Sequence, residues 1–437
     1  AALAQVDEQS DVPTLVCTKT IIGFGSPAKQ GTAGAHGAAL GEDEVAAVRN
    51  TLNWSFEPFE VPERLYQEWD GRERGAALQQ SWEEMFQSYQ REHPDLAAEY
   101  QRRMAGELPT GWNQGVRAFA EAAQAALEPL ETRKSSQRAL GALAPDVPEL
   151  FGGSADLTGS NGTRWADAPD ERYFSFGVRE FGMSAITNGM VLHGGIRPFT
   201  GTFLVFMEYA RNAVRLAALM EIPNIFVYTH DSVAVGEDGP THQPIEQLTN
   251  LRTTPGLHTW RPCDTVETAF AWEAAVASQR EPSALIFTRQ KTPAMVRDLQ
   301  AFNAIARGGY VLSREQGELD VILIATGSEV GLAAQAAEQL KEDGLGVRLV
   351  SMPCTDIFLS QDVEYQNTVL PVDCAARVAV EAAHPDYWYR FVGLQGAVVG
   401  IDRFGVSAPG DEAMTAMGMT VANVVAAARS VVSTAED

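Results

Sequence analysis

The sequence predicts an α/β protein, a parallel sheet covered by helices on both faces and followed by a smaller C-terminal α/β unit. Three observations carry that expectation. From about residue 112 onward, short apolar runs alternate with amphipathic or alanine-rich stretches. The runs at 224–230 and 284–289 are apolar on both sides of the chain, as in strands buried on both faces. The stretches between them, notably 209–221 and 266–278, repeat apolar residues at helical spacing.

Taken in order, residues 1–13 read as the tail of a helix running into a short strand at 14–17. A Gly/Ala/Pro-rich loop over 23–41, containing His36, follows. The stretch 63–104 is charged, Gln-rich and aromatic, as in Ser81-Trp82-Glu83-Glu84-Met85, and its period is helical. Strands are expected at 149–152, 172–177, 224–230 and 284–289. A second unit begins near Gly308, with a strand at 321–325 and a turn at Thr326-Gly327-Ser328. A helix over 329–342 ends at Gly344, and strands at 347–352, 378–381 and 397–401 complete it. The reading divides the chain at 1–60, 61–111 (a helical linker), 112–307 and 308–437. No short-period repeat or low-complexity tract interrupts it.

Composition narrows the function. With 437 residues, 45% of them hydrophobic, the chain can bury a large core and makes about two to four domains. Lys and Arg total 33 against 57 Asp and Glu, a formal charge of −24. Such a field repels nucleic acid and anionic membrane at long range, so an anionic substrate must meet locally clustered arginines and histidines. Four scattered cysteines without a CxxC pair fit a reducing cytoplasmic compartment. No secretory signal or membrane-spanning run is expected.

Five groups of residues could carry chemistry. In Phe176-Gly177-Val178-Arg179-Glu180-Phe181-Gly182-Met183 a carboxylate sits where an aromatic strand becomes a small-residue helix. The flanking glycines allow a sharp turn and close approach. A carboxylate in apolar surroundings favours its protonated form, which suits a group sharing a proton with a ring. The competing reading pairs Glu180 with Arg179. The second group is Tyr228-Thr229-His230-Asp231-Ser232 with Gly236-Glu237-Asp238-Gly239-Pro240-Thr241-His242-Gln243-Pro244. A buried strand delivers His230 at its C-terminal end, where open α/β sheets bind ligands. Asp238 and His242 follow on a Gly/Pro-rich loop, able to bond a hydroxylated substrate. No metal-ligand spacing is present.

Third, Phe203, Phe206 and Tyr209 recur every three residues and are expected on one helix face, as core or as a ring pocket. Fourth, Arg133, Ser160 (with Asn161) and Arg289 lie at ends of elements, where together they could bind a dianion. Fifth, His36 sits between small residues in Gly34-Ala35-His36-Gly37 and can reach a site without blocking it. Thr326-Gly327-Ser328-Glu329 reads as a helix start with Ser328 as N-cap.

Together these segments resemble the transketolase family. The likeness spans the chain through Lys19-Thr20-Ile21-Ile22-Gly23-Phe24-Gly25-Ser26-Pro27, Gly152-Gly153-Ser154-Ala155-Asp156-Leu157, the Glu180 segment, and both the Thr229 and Gly236 segments. The resemblance implies a thiamine-diphosphate-binding fold, with a pyrimidine-binding domain and a C-terminal domain set away from the reaction. It implies thiamine diphosphate as cofactor and transfer of a two-carbon ketol unit from a ketose phosphate to an aldose phosphate, as in the pentose phosphate pathway and Calvin cycle.

Under it, Glu180 hydrogen-bonds the aminopyrimidine. Phe206, with Phe203 and Tyr209, forms the pyrimidine pocket, and Asp156 lies beneath the cofactor. Arg133, Ser160, His230 and Arg289 contact the substrate phosphate. Asp238 reads the C2 hydroxyl, His242 sits near the donor hydroxyls and carbonyl, and His36 touches both substrate and cofactor.

One departure stands out. The family holds the diphosphate and its Mg²⁺ (or Ca²⁺) through a Gly-Asp-Gly motif followed by Asn, and no Gly-Asp-Gly occurs here. The expectation is therefore a C-terminal portion lacking most of the diphosphate-binding domain, with 1–60 as its remnant. It would be active only with an N-terminal portion supplied as a second chain, within a homodimer of the complete enzyme. The alternatives are a dihydroxyacetone synthase, a 1-deoxyxylulose-5-phosphate synthase, a 2-oxo acid dehydrogenase β chain, or an inactive assembly module.

Overall fold

The computed structural model describes residues 14–436 together with Val6 and Val12. The helix tail expected over residues 1–13 lies outside the described residues. No strand forms at 14–17, where the chain has no regular secondary structure. The chain divides into two compact units, 1–92 and 93–437.

In the first unit the Gly-rich loop leads to helices Glu42–Thr51 (α1), Glu63–Trp69 (α2) and Arg72–Glu92 (α3). Side-chain bonds one turn apart, Gln79 to Glu83 at 2.8 Å and Gln80 to Glu84 at 3.0 Å, support α3. Trp82 stacks on Phe86 at 5.1 Å along the same helix.

The second unit opens with helices Pro94–Met104 (α4), Gln114–Ala126 (α5) and Thr132–Leu143 (α6). A six-stranded sheet follows, built from Leu150–Ser154 (β1), Tyr173–Ser175 (β2), Arg197–Phe203 (β3), Ile225–Thr229 (β4), His258–Trp260 (β5) and Ser283–Phe287 (β6). Its order is β2-β1-β3-β4-β6-β5, with every pairing parallel. Helices Glu180–His193 (α7), Met207–Leu219 (α8), Gln247–Arg252 (α9) and Thr265–Ala277 (α10) connect the strands.

Alternation within β4 divides the core, since neighbouring side chains of a strand point to opposite faces. Ile225 and Val227 join Leu140, Phe270 and Trp272 on one side. Phe226 and Tyr228 join Met207, Val214 and Leu248 on the other. Asp264 caps α10, its carboxylate accepting from Val266 and Glu267 N–H at 3.1 Å each.

Strand β3 was not expected from sequence, because Arg197-Pro198-Phe199-Thr200-Gly201-Thr202-Phe203 carries few apolar residues and a proline. All seven residues are nevertheless buried. The central place in the sheet, not local propensity, fixes the strand.

The C-terminal sheet contains Tyr310–Ser313 (β7), Val321–Ala325 (β8), Val347–Ser351 (β9), Arg377–Val380 (β10) and Ala397–Val399 (β11). The order is β11-β10-β8-β9-β7, and β7 alone runs antiparallel. Helix Glu329–Glu342 (α11) covers one face, as the sequence predicts. Ser328 does not cap it with its side chain. That hydroxyl donates to the Glu329 carboxylate at 2.7 Å instead.

Among the described residues, one stretch, Gly410–Ser433, is long and apolar enough by composition to cross a membrane. It is split into helices Gly410–Ala416 (α12) and Val421–Glu436 (α13). Its Met417, Met419, Val424 and Ala428 lie in the C-terminal core, which accounts for the apolar composition.

Candidate functional site at the C-terminal edge of the six-stranded sheet

Strands β1, β3, β4 and β6 end side by side, and Phe203, Phe206, His230, His242, Arg133 and Arg289 meet or influence one another beyond those ends. Phe203 closes β3 opposite Thr229 of β4, and Thr229 pairs in turn with Phe287 of β6. His230 follows directly, with φ +61°. This left-handed conformation is uncommon for a residue with a Cβ and persists where the surroundings over-determine it. Asp156, just past β1, has φ +62°. Both residues lie just past strands that flank β3, at the same edge of the sheet.

Aromatic rings form one wall. Phe203 stacks on Phe206 at 5.6 Å and on His230 at 3.7 Å, and Phe206 meets His242 edge-on at 5.3 Å. The single helix face expected for Phe203, Phe206 and Tyr209 is not what forms. Phe203 ends a strand, Phe206 lies in the 3-10 turn Leu204–Phe206, and Tyr209 is in α8. The rings still follow one another, Tyr209 lying 6.1 Å from Phe206 and largely exposed. The chain turns out of the sheet at this point, which aims Phe206 outward instead of into the core.

Glu180 is the first residue of α7, and Gly177 with φ +68° makes the turn before it. The Glu180 side chain is buried to 9% exposure, yet it has no hydrogen-bond or ion-pair partner among the described residues. The expected pairing with Arg179 does not form, because that guanidinium turns back to donate to the Phe176 carbonyl at 3.0 Å. The carboxylate oxygens are absent from the unpartnered atoms that are fully shielded from solvent, so they stand open to an external donor at the start of α7.

Arg133 and Arg289 supply positive charge. Arg133 is the second residue of α6 and donates to the Ser160 carbonyl at 2.7 Å, leaving its Nε buried and unpartnered. Burial pulls its basicity down, Glu131 opposes that, and Arg289 adds to it. Arg289, exposed beyond the end of β6, donates to the Val235 carbonyl at 3.3 Å. Burial depresses His230 to about 3, with Arg133, Arg289 and His242 adding to the effect. Three groups that disfavour one another's positive charge are held together here, which is the electrostatics of an anion site.

Asp238 is exposed on the loop, and His242 is half-buried with Nδ1 3.0 Å from the Thr241 hydroxyl. Ser160 is half-buried at the end of β1's outgoing turn, beside fully buried Asn161. His36 lies in the first unit, where it is exposed and its N–H closes the turn at Ala33. Among the described residues, no group of three or more His, Cys, Asp or Glu could hold a metal ion.

Sequence reasoning missed the residues that brace this edge. Gln243 Nε2 donates to the carbonyls of Val233, Gly236 and Val406 at 3.1, 2.9 and 2.9 Å, tying the loop to the C-terminal domain. Ser407 adds a bond to the Glu237 carbonyl at 2.6 Å. Wholly buried Arg261 donates to Asp231 at 2.9 Å, to the Thr326 carbonyl at 3.1 Å, and to Glu329 and Glu381. The C-terminal domain, expected to sit away from the reaction, thus holds both ends of the His230–Gln243 loop. Gln243 stood in a motif already noted, whereas nothing local marks Arg261.

Three family models match the chain. They are the transketolase thiamine diphosphate binding domain at residues 1–109, the transketolase pyrimidine binding domain at 128–295, and the transketolase-like C-terminal domain at 308–420. The first extends past residue 60 through the stretch read as a helical linker. Transketolase 2 of Vibrio parahaemolyticus is 51% identical over 96% of this chain and 65% of its own length. The chain thus spans about two-thirds, and slightly less, of that curated relative. A transketolase from Leishmania mexicana superposes with TM-score 0.87 at 38% identity, over 100% of this chain and 64% of its own. A chain described as a split gene transketolase, inactive β4 tetramer, superposes with TM-score 0.59 over 70% of this chain and 99% of its own. At 22% identity, that last likeness shows the fold alone.

Proposed function

Because the chain belongs to the transketolase family, we propose that it supplies the pyrimidine and substrate-phosphate sides of a transketolase site. The reaction is transfer of a two-carbon ketol unit from a ketose phosphate to an aldose phosphate, in the cytoplasm, by a homodimeric enzyme. The observation that supports the proposal is the partnerless, solvent-open Glu180 carboxylate at the start of α7, in the same unit whose strand ends carry the Phe203–Phe206 wall. An aminopyrimidine fits both features, offering N–H or ring nitrogen to the acid and a flat face to the phenyl rings. Thiamine diphosphate, when bound, supplies the electron sink for carbon–carbon bond cleavage.

The chain's own residues then divide the remaining work. Glu180 shares a proton with the ring, Phe203, Phe206 and Tyr209 orient it and exclude water, and Asp156 borders it. Arg133, Ser160, Arg289 and His230 receive the phosphate, and Asp238 and His242 bond the donor hydroxyls. His36 contacts substrate and cofactor, as the family resemblance implies. The paired arginines favour a sugar phosphate over pyruvate as donor. The Gly-Asp-Gly motif is absent from these 437 residues. We extend the proposal accordingly: the diphosphate and its Mg²⁺ are held by a segment bearing that motif, outside these 437 residues.

The test compares this polypeptide alone with the same polypeptide plus a Gly-Asp-Gly-bearing transketolase segment, thiamine diphosphate and Mg²⁺. Ketol transfer should need the added segment, and Glu180→Gln should lower kcat by about 10²–10⁴-fold. Robust turnover by the polypeptide alone removes the need for that segment. A loss of less than about tenfold for Glu180→Gln removes the proton-sharing role.

A further inference from the structure

A chain of buried hydrogen bonds runs into His230 and has only one consistent direction. The Gly201 carbonyl on β3 can only accept, and the Ser154 hydroxyl lies 3.1 Å from it, so the single Ser154 proton points there. Ser154 Oγ then receives the Leu157 N–H at 3.2 Å and Asn161 Nδ2 at 3.0 Å. This turns the Asn161 Oδ1 toward Thr229, whose hydroxyl donates to it at 2.7 Å. Thr229 has spent its only proton, so in its 2.8 Å contact with His230 Nδ1 the ring nitrogen must be the donor.

Flipping the Asn161 amide would reverse the Ser154–Asn161 and Asn161–Thr229 bonds, draw the one Ser154 proton to Asn161, and set Ser154 Oγ against a Gly201 oxygen left with only the Ala155 N–H at 3.0 Å. Ser154, Asn161 and Thr229 are wholly buried, so no water relieves that repulsion. The packing requires a bare backbone at Gly201, where a Cβ would meet Thr163 at 2.5 Å and the Asn161 amide nitrogen at 3.2 Å.

We infer that Ser154, Asn161 and Thr229 are positioning residues that hold neutral His230 with its proton on Nδ1, presenting Nε2 to the site as an acceptor. Nε2 has no partner among the described residues, and the ring is fixed from the other side by stacking on Phe203. A histidine in this state cannot donate to a phosphate dianion. It accepts a proton from a phosphate monoanion, or it takes up a proton as the dianion binds. The charged groups facing it, Arg133 and Arg289, and the neighbouring His242 all oppose an imidazolium until an anion is present. His230 thereby couples phosphate binding to uptake of one proton, a specificity element distinct from the arginines. This consequence rests on the phosphate reading proposed above, whereas the tautomer does not.

The test is ¹⁵N NMR of the ring-labelled protein near neutral pH, with His230 assigned through His230→Gln. A pyrrole-like Nδ1 and pyridine-like Nε2 support the inference, and the reverse pattern overturns it. Thr229→Ser should preserve the pattern and Thr229→Val should lose it. Retention of the same tautomer in folded Thr229→Val, judged by unchanged circular dichroism, refutes the positioning role. Titration with inorganic phosphate should then convert His230 to the doubly protonated ring or engage Nε2. A Nδ1–H ring that ignores phosphate supports the tautomer and refutes the phosphate reading alone.

Discussion

Replacing Arg261 by Leu tests how the C-terminal domain holds the site. The Arg261 side chain is 0% exposed and faces three acids, Asp231, Glu329 and Glu381. Arg252 also binds Glu381, at 2.6 and 2.8 Å, so Glu381 keeps a cation after the substitution. Asp231 does not: its Oδ1 is already buried without a partner, and Arg261 is the donor to its Oδ2. Burial alone raises the proton affinity of Glu329, Arg261 counters this, and Asp231 aggravates it, leaving Glu329 above its ordinary value even in the intact protein.

Breaking a buried pair by removing one partner costs about 3–5 kcal/mol, chiefly from the charge left behind. The expected loss for Arg261→Leu is therefore about 3–5 kcal/mol. Arg261→Lys, which keeps the charge but not the fork, should fall between it and the wild type. Urea unfolding followed by tryptophan fluorescence measures this, with Trp260 adjacent in sequence and Trp388 bonded to Glu381 at 2.6 Å. A loss under about 1 kcal/mol would refute the reasoning, because that is the size of an exposed surface pair.

The remaining predictions concern pH, thiol chemistry and packing. His230 is depressed to about 3 from 6.5. Between those values the unfolded chain binds a proton that the folded chain refuses, so its contribution is complete above pH 6.5 and drains as pH falls toward 3. The slope is about 1.4 kcal/mol per pH unit. His230→Gln should flatten that part of the acid limb in urea titrations, and an unchanged limb between these values would refute the assignment. Cys263, Cys354 and Cys374 are buried and Cys17 is exposed, and burial pushes the Cys354 thiol far up. A maleimide should therefore modify Cys17 in the native protein and the other three only after denaturation, with mass spectrometry as the readout. Gly153→Ala should destabilise by about 1–3 kcal/mol through overpacking. A Cβ there would meet the Phe174 carbonyl and the Phe176 ring at 2.3 Å each.

Strand β8 and helix α11 were legible in the sequence to the residue, because an apolar run flanked by turn residues and a helical repeat are both local signals. Strands β4 and β6 were legible to within a residue or two. Strand β3 was not, because its proline and threonines speak against a strand until neighbours on both sides enclose it. The same blind spot placed Phe203 on a helix. Glu180, His230, Asp238 and His242 were nominated from glycine-flanked segments at strand ends, but the relay through Ser154 and Asn161 was invisible.

By itself, the order of residues determined the alternating α/β architecture, the glycine turn before Glu180 and the acidic character that confines cationic groups to one locality. Those properties depend on near neighbours along the chain, which periodicity reports directly. Only the tertiary structure decided that Asn161 meets Thr229 across 68 residues and that Arg261 meets Glu381 across 120. Such partners are chosen by the strand order β2-β1-β3-β4-β6-β5 and by the docking of the second sheet. Burial at those junctions leaves each polar group dependent on one distant counterpart, a requirement that no local pattern encodes.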